Sequence, residues 1–474
     1  MRTLPPRSGF AARLATAVLC AAAALPGTGC EPAPDPGVVR LEFWTLALRP
    51  RFDAYMNGQL EAFERAHPGV DVVWVDVPYE ALERKLIAAA AAGRGPDVVN
   101  MADLNFARFA ALGAFGDLTP NLPGNADDRY LAGALGLCRI NGRLLALPWY
   151  VNPQARLVNA QVLATGGLTP ETLARNWLGL AAQAREFKAR TGGFLFSQPL
   201  GEESQLPIML LSEGLPPLRP GPDGGLVSDI LRPDIAAYLR VWTELYRDGV
   251  LPREAATKGY AHLTEMFQDG RLGVINTGPN FVERVQRVSP RVFDQTVVLP
   301  GAVGALGRVH LPVMVLAALA ASDQPALAAE LAWFMTGPGP QEAFCREVSI
   351  LPSTRASLDD PYFSDGPPPG ATDAERRLAS GRLVAAATLP DAVAFTAALE
   401  TWPDLRRSFE DEFKRVLTDG VELGTALARI DREWNRLLAA AAPAEMDAVP
   451  RPAPVPAAEE RLAPAAPGGA GATP

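Results

Sequence analysis

Apolar and polar residues alternate from Val38 to Trp44, the period-two pattern of a strand. Phe52, Tyr55, Met56, Leu60 and Phe63 then recur at helical spacing, and His67-Pro68-Gly69 stops that helix. Val70 to Val77 reads as a second strand, with Val70, Val72, Trp74 and Asp76 on one face and Asp71, Val73, Val75 and Val77 on the other. An Ala-rich helix from Leu82 to Ala92 ends at Gly93-Arg94-Gly95-Pro96. A short buried strand, Asp97 to Asn100, and a helix, Phe106 to Leu112, follow. From Pro170 to about Arg287 the pattern is mostly helical, with helix ends at Asp248-Gly249 and Asp269-Gly270 and a strand at Leu272 to Asn276. Val313 to Ala321 is apolar but too short to cross a bilayer, which takes about 20 residues. Ala326 to Met335 reads as a helix stopped by Gly337-Pro338-Gly339-Pro340. Arg406 to Leu438 reads as two amphipathic helices broken near Asp419-Gly420.

Strands alternating with helices predict an α/β fold with a largely parallel sheet. Ligands of such sheets sit beyond the carboxyl ends of the strands, which places Trp44-Thr45 and Asn100 to Asn105 beside a cleft.

The first thirty residues change the picture. Arg2, Arg7 and Arg13 precede an apolar run, Leu14 to Leu25, and then Pro26-Gly27-Thr28-Gly29-Cys30. A basic start, a short apolar stretch and small residues at the end describe a secretory leader, here residues 1–29. Its end resembles a bacterial lipobox, in which the cysteine after the cut receives a diacylglycerol. Gly27 stands where leucine is usual. Cys30 is therefore the expected lipidation site, 30–37 a Pro-rich spacer, and the membrane is met through the lipid alone. The remaining chain, about 445 residues, is too long for one core and predicts two domains. From about Ala442 the chain is Ala, Pro and Gly with few charges, and 442–474 is expected to be a disordered tail. A net charge of −9 argues against a nucleic-acid partner and a polybasic membrane surface. Cys138 and Cys345 remain. Export would permit a bridge, and two buried thiols is the simpler reading.

Catalytic signatures are missing. The three histidines, His67, His262 and His310, have no metal-site spacing, so no metal or cofactor is expected, and His67 in its turn is expected to be exposed. No Gly-x-Ser-x-Gly elbow or phosphate-cradling Gly-rich loop is present. A glycosidase carboxylate pair would leave no local spacing, so an exported glycosidase stays open behind the expectation of a non-enzyme.

Several segments in order carry a resemblance. They are Leu41-Glu42-Phe43-Trp44-Thr45, then Ala62-Phe63-Glu64 with His67-Pro68-Gly69-Val70, then Gly95-Pro96-Asp97-Val98-Val99. Ala146-Leu147-Pro148-Trp149-Tyr150, Phe267 to Gly273 with Gly278-Pro279, and Leu351-Pro352-Ser353 complete the set. From Leu41 to Leu437 the chain resembles the family-1 extracellular solute-binding proteins of ATP-binding-cassette importers, sugar-binding lipoproteins that include maltose-binding protein. The resemblance implies a two-lobed type II periplasmic-binding fold with hinge crossovers and a central ligand cleft. Residues 38–150 and 312–350 would form the N-lobe, and 153–311 and 354–440 the C-lobe. Crossings are expected near Pro148 to Pro153, Leu311 to Leu316 and Leu351 to Thr354. A monomer that closes on a sugar and hands it to the permease subunits, outside the cytoplasm, is what the resemblance implies.

Sugars offer apolar faces and a rim of hydroxyls, so a site for them needs flat aromatics and planar polar groups. The candidates are Trp44, Thr45, Asp103, Asn105, Trp149, Tyr150, Asn152 and Asn280. Of the adjacent pair Trp149 is favoured over Tyr150, since an extended segment sends only one inward. Asn280 could instead cap the helix that begins at Phe281. Trp402 reads as core. Arg49 and Arg51 keep open a glycerol-3-phosphate or phosphodiester ligand on the same fold. An adaptor that has lost its ligand is the other alternative.

Overall fold

The computed structural model describes residues 37–78, 81–91, 95–395, 399 and 401–440. The leader, Cys30 and the tail expectation lie outside the described residues.

Ten strands build two main sheets: β1 (Val39–Leu46), β2 (Val70–Val77), β3 (Val98–Ala102), β4 (Ala146–Val151), β5 (Ala155–Asn159), β6 (Phe194–Phe196), β7 (Leu272–Thr277), β8 (Thr296–Pro300), β9 (Val313–Ala318) and β10 (Leu351–Pro352). The first sheet runs β10-β4-β9-β3-β1-β2 and the second β8-β5-β7-β6. β1 is parallel to β2 and β3, as alternating strands and helices require. β9 runs antiparallel to both β3 and β4, and β10 antiparallel to β4. The first sheet is therefore mixed rather than largely parallel. β9 enters it on return from the second sheet and not through a βαβ crossover. In the second sheet β5 is antiparallel to β7 and β8.

Each sheet carries its own core. Leu41, Phe43, Phe63, Val98, Met101 and Leu316 fill the first. Trp242, Leu245, Phe409, Phe413 and Trp434 belong to the second. A further cluster, with Leu157, Phe267, Leu272 and Ile275, also packs on the second sheet, and each such side chain taken from water is worth about 1.5–3 kcal/mol. The two C-terminal helices, Trp402–Thr418 and Leu423–Ala440, break at the expected Asp419-Gly420, and Gly420 takes φ 72°. Trp402 is buried in this second core. Gly337-Pro338-Gly339-Pro340 does more than end a helix: Pro338 opens the next one, Pro338–Val348. A missing N–H costs nothing at a helix start.

Three segments lie side by side where the sheets meet. Asn152 N donates to Pro312 O at 3.1 Å and Gln154 N to His310 O at 3.0 Å. Val309 and His310 pair in parallel with Ala392 and Val393. Leu351-Pro352 sits on the first sheet and Phe363 in the first core. The helix Asp373–Thr388 then touches both sides, Leu378 and Val384 packing beside the second sheet and Ala385 in the first core.

Cys138 and Cys345 are both buried and free. His67 is half-buried, stacked on Phe63 with centroids 4.0 Å apart, and its Nε2 lies 2.9 Å from Glu330 Oε2. The expectation of an exposed turn residue fails because the ring turns back onto its own helix. No described helix is long and apolar enough to cross a membrane.

Candidate functional site: a cleft between the two sheets

The register of β1 on β2 sets Thr45 beside Asp76. Thr45 Oγ1 donates to Asp76 Oδ1 at 2.8 Å and accepts from Trp74 Nε1 at 2.7 Å. The same carboxylate accepts from the backbone N–H groups of Leu48 and Arg49, each at 3.0 Å. This ties down the loop after β1, where Ala47 is held at φ 49°. Leu46, Ala47 and Leu48 of that stretch form one wall of a cavity of about 400 Å³. Asp103, at the carboxyl end of β3, forms another, together with Tyr150, Met314 and Phe344. The cavity thus opens beyond the carboxyl ends of β1 and β3, as the strand order predicts.

A second cavity of about 390 Å³ adjoins it, and the two share Asn152, Asn280 and Val348. Its lining includes Arg51, Tyr260, Thr277, Glu283, Arg284 and Arg287. Arg51 comes from the first sheet's side, while Thr277 ends β7 and Glu283, Arg284 and Arg287 lie on the helix Phe281–Val288. Arg51 Nη2 donates to Glu347 O at 2.7 Å and reaches Glu283 Oε2 at 3.4 Å, so one guanidinium touches both sides of the cleft. Tyr260 and Thr277 share a hydrogen bond between their hydroxyls.

The structure brings together Asp103, Tyr150, Asn152 and Asn280 of the candidates. Asn280 does not cap its helix; its Oδ1 accepts from Asn152 Nδ2 at 3.1 Å. Gly278 allows this approach. A Cβ there would stand 2.3 Å from Asn152 Nδ2 and 2.6 Å from Asn280 Oδ1. Thr45 is fully buried and positions the loop rather than lining a cavity. Trp44 is buried in the first core, its indole donating to Glu42 and its face covered by Lys85 Nζ at 4.2 Å. Trp149 is also core: it stacks on Phe344 with centroids 4.8 Å apart and planes 19° apart. Tyr150 lines the cavity; its ring lies 5.4 Å from that of Trp149 and 5.5 Å from that of Phe344, so the two neighbours do not alternate, because the register of β4 on β9 shifts here between Met314 and Val315. Asn105 is half-buried on the helix Asp103–Ala111 and lines neither cavity. Arg49 lies over the Trp74 ring at 4.1 Å.

Sequence reading missed Phe344, Tyr260, Arg284 and Arg287. The last two had a local signal: with Asn280 they recur at spacings of four and three, one face of a helix. Phe344 and Tyr260 had none, because distant folding brings them to the cleft. Among the described residues no group of three or more His, Cys, Asp or Glu could hold a metal ion.

Residues 47–342 match the family described as bacterial extracellular solute-binding protein. An uncharacterized lipoprotein from the oleD 5' region of Streptomyces antibioticus is 24% identical over 284 residues, 59% of this chain and 62% of its own length. The chain spans about three fifths of the length of the curated relatives it matches. Among solved structures, a candidate oligosaccharide periplasmic-binding protein from Synechococcus sp. MITs9220 superposes with a TM-score of 0.77 at 30% identity, over 84% of this chain and 99% of that one. Maltose-bound MalE3 of T. maritima superposes with a TM-score of 0.67 at 20% identity, over 85% of this chain and all of that one (100%). The fold is that of these two-lobed binding proteins.

Proposed function

The chain belongs to the bacterial extracellular solute-binding proteins, and we propose from that premise that it captures a sugar in the cleft, closes on it, and delivers it to the permease of an ATP-binding-cassette importer. The observation that carries the reading is the shared lining of the cleft. Asp103, Tyr150 and Asn152 come from the first sheet's side and Asn280 from the second's, around one cavity of about 400 Å³. Cavities of roughly 300–1,000 Å³ suit small organic ligands. Planar amides and a carboxylate offer paired hydrogen bonds to hydroxyls, and Tyr150 and Phe344 offer faces for the C–H side of a ring. The oligosaccharide assignment of the Synechococcus relative, at 30% identity, supports the same ligand class.

Closure follows from such a layout. A ligand that touches both sides stabilises the closed arrangement over the open one, and only that difference drives the motion. The three adjacent segments around Asn152–Gln154, His310–Pro312 and Ala392–Val393 are where a hinge would bend. Tethering through Cys30 belongs to the same proposal and agrees with the lipoprotein named among the relatives.

A melting screen against malto-, cello- and galacto-oligosaccharides tests the reading. A ligand at about 100 times its Kd stabilises by about 2.7 kcal/mol. A rise with one sugar series that Tyr150→Ala removes supports the proposal. No response to any of these sugars or to their uronic-acid and phosphorylated counterparts, with the protein folded, sinks it.

A further inference from the structure

The half of the cleft around the helix Phe281–Val288 carries more positive charge than a neutral sugar needs. Arg51, Arg284 and Arg287 line it against a single carboxylate, Glu283. Three cations against one anion leave a formal +2, on a chain whose net charge is −9. Glu283 is paired with Arg51 at 3.4 Å, and Arg51 is further fixed by Glu347 O at 2.7 Å. Arg284 and Arg287 form no ion pair with a described carboxylate, so their guanidinium groups are open to an outside anion. Tyr260 and Phe281 add ring surface beside them, and Asn152 and Asn280 join this half to the other.

The other half is different in kind. Its lining is largely apolar, from Leu46, Leu48, Phe52 and Met314 to Ile350, and its only charged residue is Asp103. One end of the cleft suits the body of a ring; the other suits an oxyanion. Guanidinium is the side chain best matched to carboxylate and phosphate, through parallel N–H donors in a fixed fork. The overall negative charge does not oppose this locally, because at physiological salt charges beyond about 8 Å are largely screened.

We propose that the cleft selects an acidic saccharide, with the carboxylate or phosphate ester of the sugar held by Arg51, Arg284 and Arg287 and its neutral ring toward Tyr150 and Asp103. This rests on the sugar-carrier reading and narrows it.

Calorimetric titration of the purified full-length protein tests the charge directly. The probes are pairs that differ only in the anion: trigalacturonate against its methyl ester, and glucuronate and glucose 6-phosphate against glucose. The acidic member of a binding pair is expected to bind about tenfold tighter at low salt, a gap that narrows at about 0.5 M salt. Comparison of the glucuronate and glucose 6-phosphate arms assigns the oxyanion. In the Arg284→Gln/Arg287→Gln double variant the gap should fall below about threefold, with a melting temperature that confirms the fold. Equal affinity for acid and ester overturns the inference, as does a gap that survives in the double variant. A neutral sugar that binds with no acidic advantage removes this inference alone. Failure of every pair removes the sugar-carrier reading and the inference with it.

Discussion

Asn152 Nδ2 donates to Asn280 Oδ1 at 3.1 Å, joining the segment that leaves the first sheet to the helix start that follows the second. The pair sits where the two cavities meet, so its amides are placed to exchange one partner for a ligand hydroxyl. Gly278 makes room for it. Gly278→Ala should push the Asn152 amide aside, because the clash falls on the end of a movable side chain rather than on backbone. We expect affinity for the cognate sugar to fall about tenfold, equal to about 1.4 kcal/mol, with little change in melting temperature. Calorimetry paired with a melting curve checks both. A large loss of stability at unchanged affinity would contradict the assignment.

Trp149 and Tyr150 should separate stability from binding. Trp149 is fully buried on Phe344, so Trp149→Ala is expected to cost about 3–5 kcal/mol of stability. Tyr150 lines the cavity and is only partly buried, so Tyr150→Ala should weaken ligand binding at a much smaller stability cost. Urea unfolding and ligand titration of both variants measure the split. The reverse pattern would place the indole, and not the phenol, in the cleft.

This pair also shows what the sequence made legible. Periodicity located β1, β2 and β7 and the break at Asp419-Gly420, because these depend on neighbours within a few residues. The adjacency of Trp149 and Tyr150 implied opposite faces of an extended segment, whereas both rings pack on Phe344 at an irregularity in the pairing of β4 with β9, and only one of them lines the cavity. Which one depends on Phe344, nearly 200 positions later, and on how the helix Pro338–Val348 lies against β4. Thr45 was rightly placed at the end of β1, but its role came from register: Asp76 stands opposite it and claims its hydroxyl. The antiparallel entry of β9 had no local signal either, since strand direction in a sheet is a property of the connection.

Arg51 and Glu283 form an ion pair from one side of the cleft to the other at 3.4 Å, with side chains 50% and 21% exposed. Exposed pairs are worth about 0–1 kcal/mol and weaken with salt. Glu283→Gln should therefore raise the open fraction of the unliganded protein by no more than about fivefold at low salt, and by little at about 1 M salt. Small-angle scattering or a donor–acceptor pair of dyes across the lobes reads this. A salt-independent change of larger size would mean that Glu283 acts through something other than this ion pair.

His310 should make stability depend on pH. It lies in the segment that bonds to Gln154, its Nδ1 accepts from Phe395 N at 3.3 Å, and the ring is 9% exposed. Burial pushes its pKa down to about 4, against about 6.5 for the unfolded chain. Between those values the unfolded chain binds a proton that the folded one refuses. Stability is therefore complete above about pH 6.5 and declines as pH falls, by on the order of 3 kcal/mol once pH 4 is reached. From pH 7.5 to pH 5 the expected share is about 2 kcal/mol. Other groups titrate too, so the informative quantity is the difference between wild type and His310→Gln, which cannot take the proton. Urea unfolding of both at pH 7.5 and pH 5 gives that difference. The variant should lose less stability on acidification, by about 2 kcal/mol. Equal losses would show that the ring already meets water or an acidic partner in the folded protein, and that this junction between the lobes is not closed to protons.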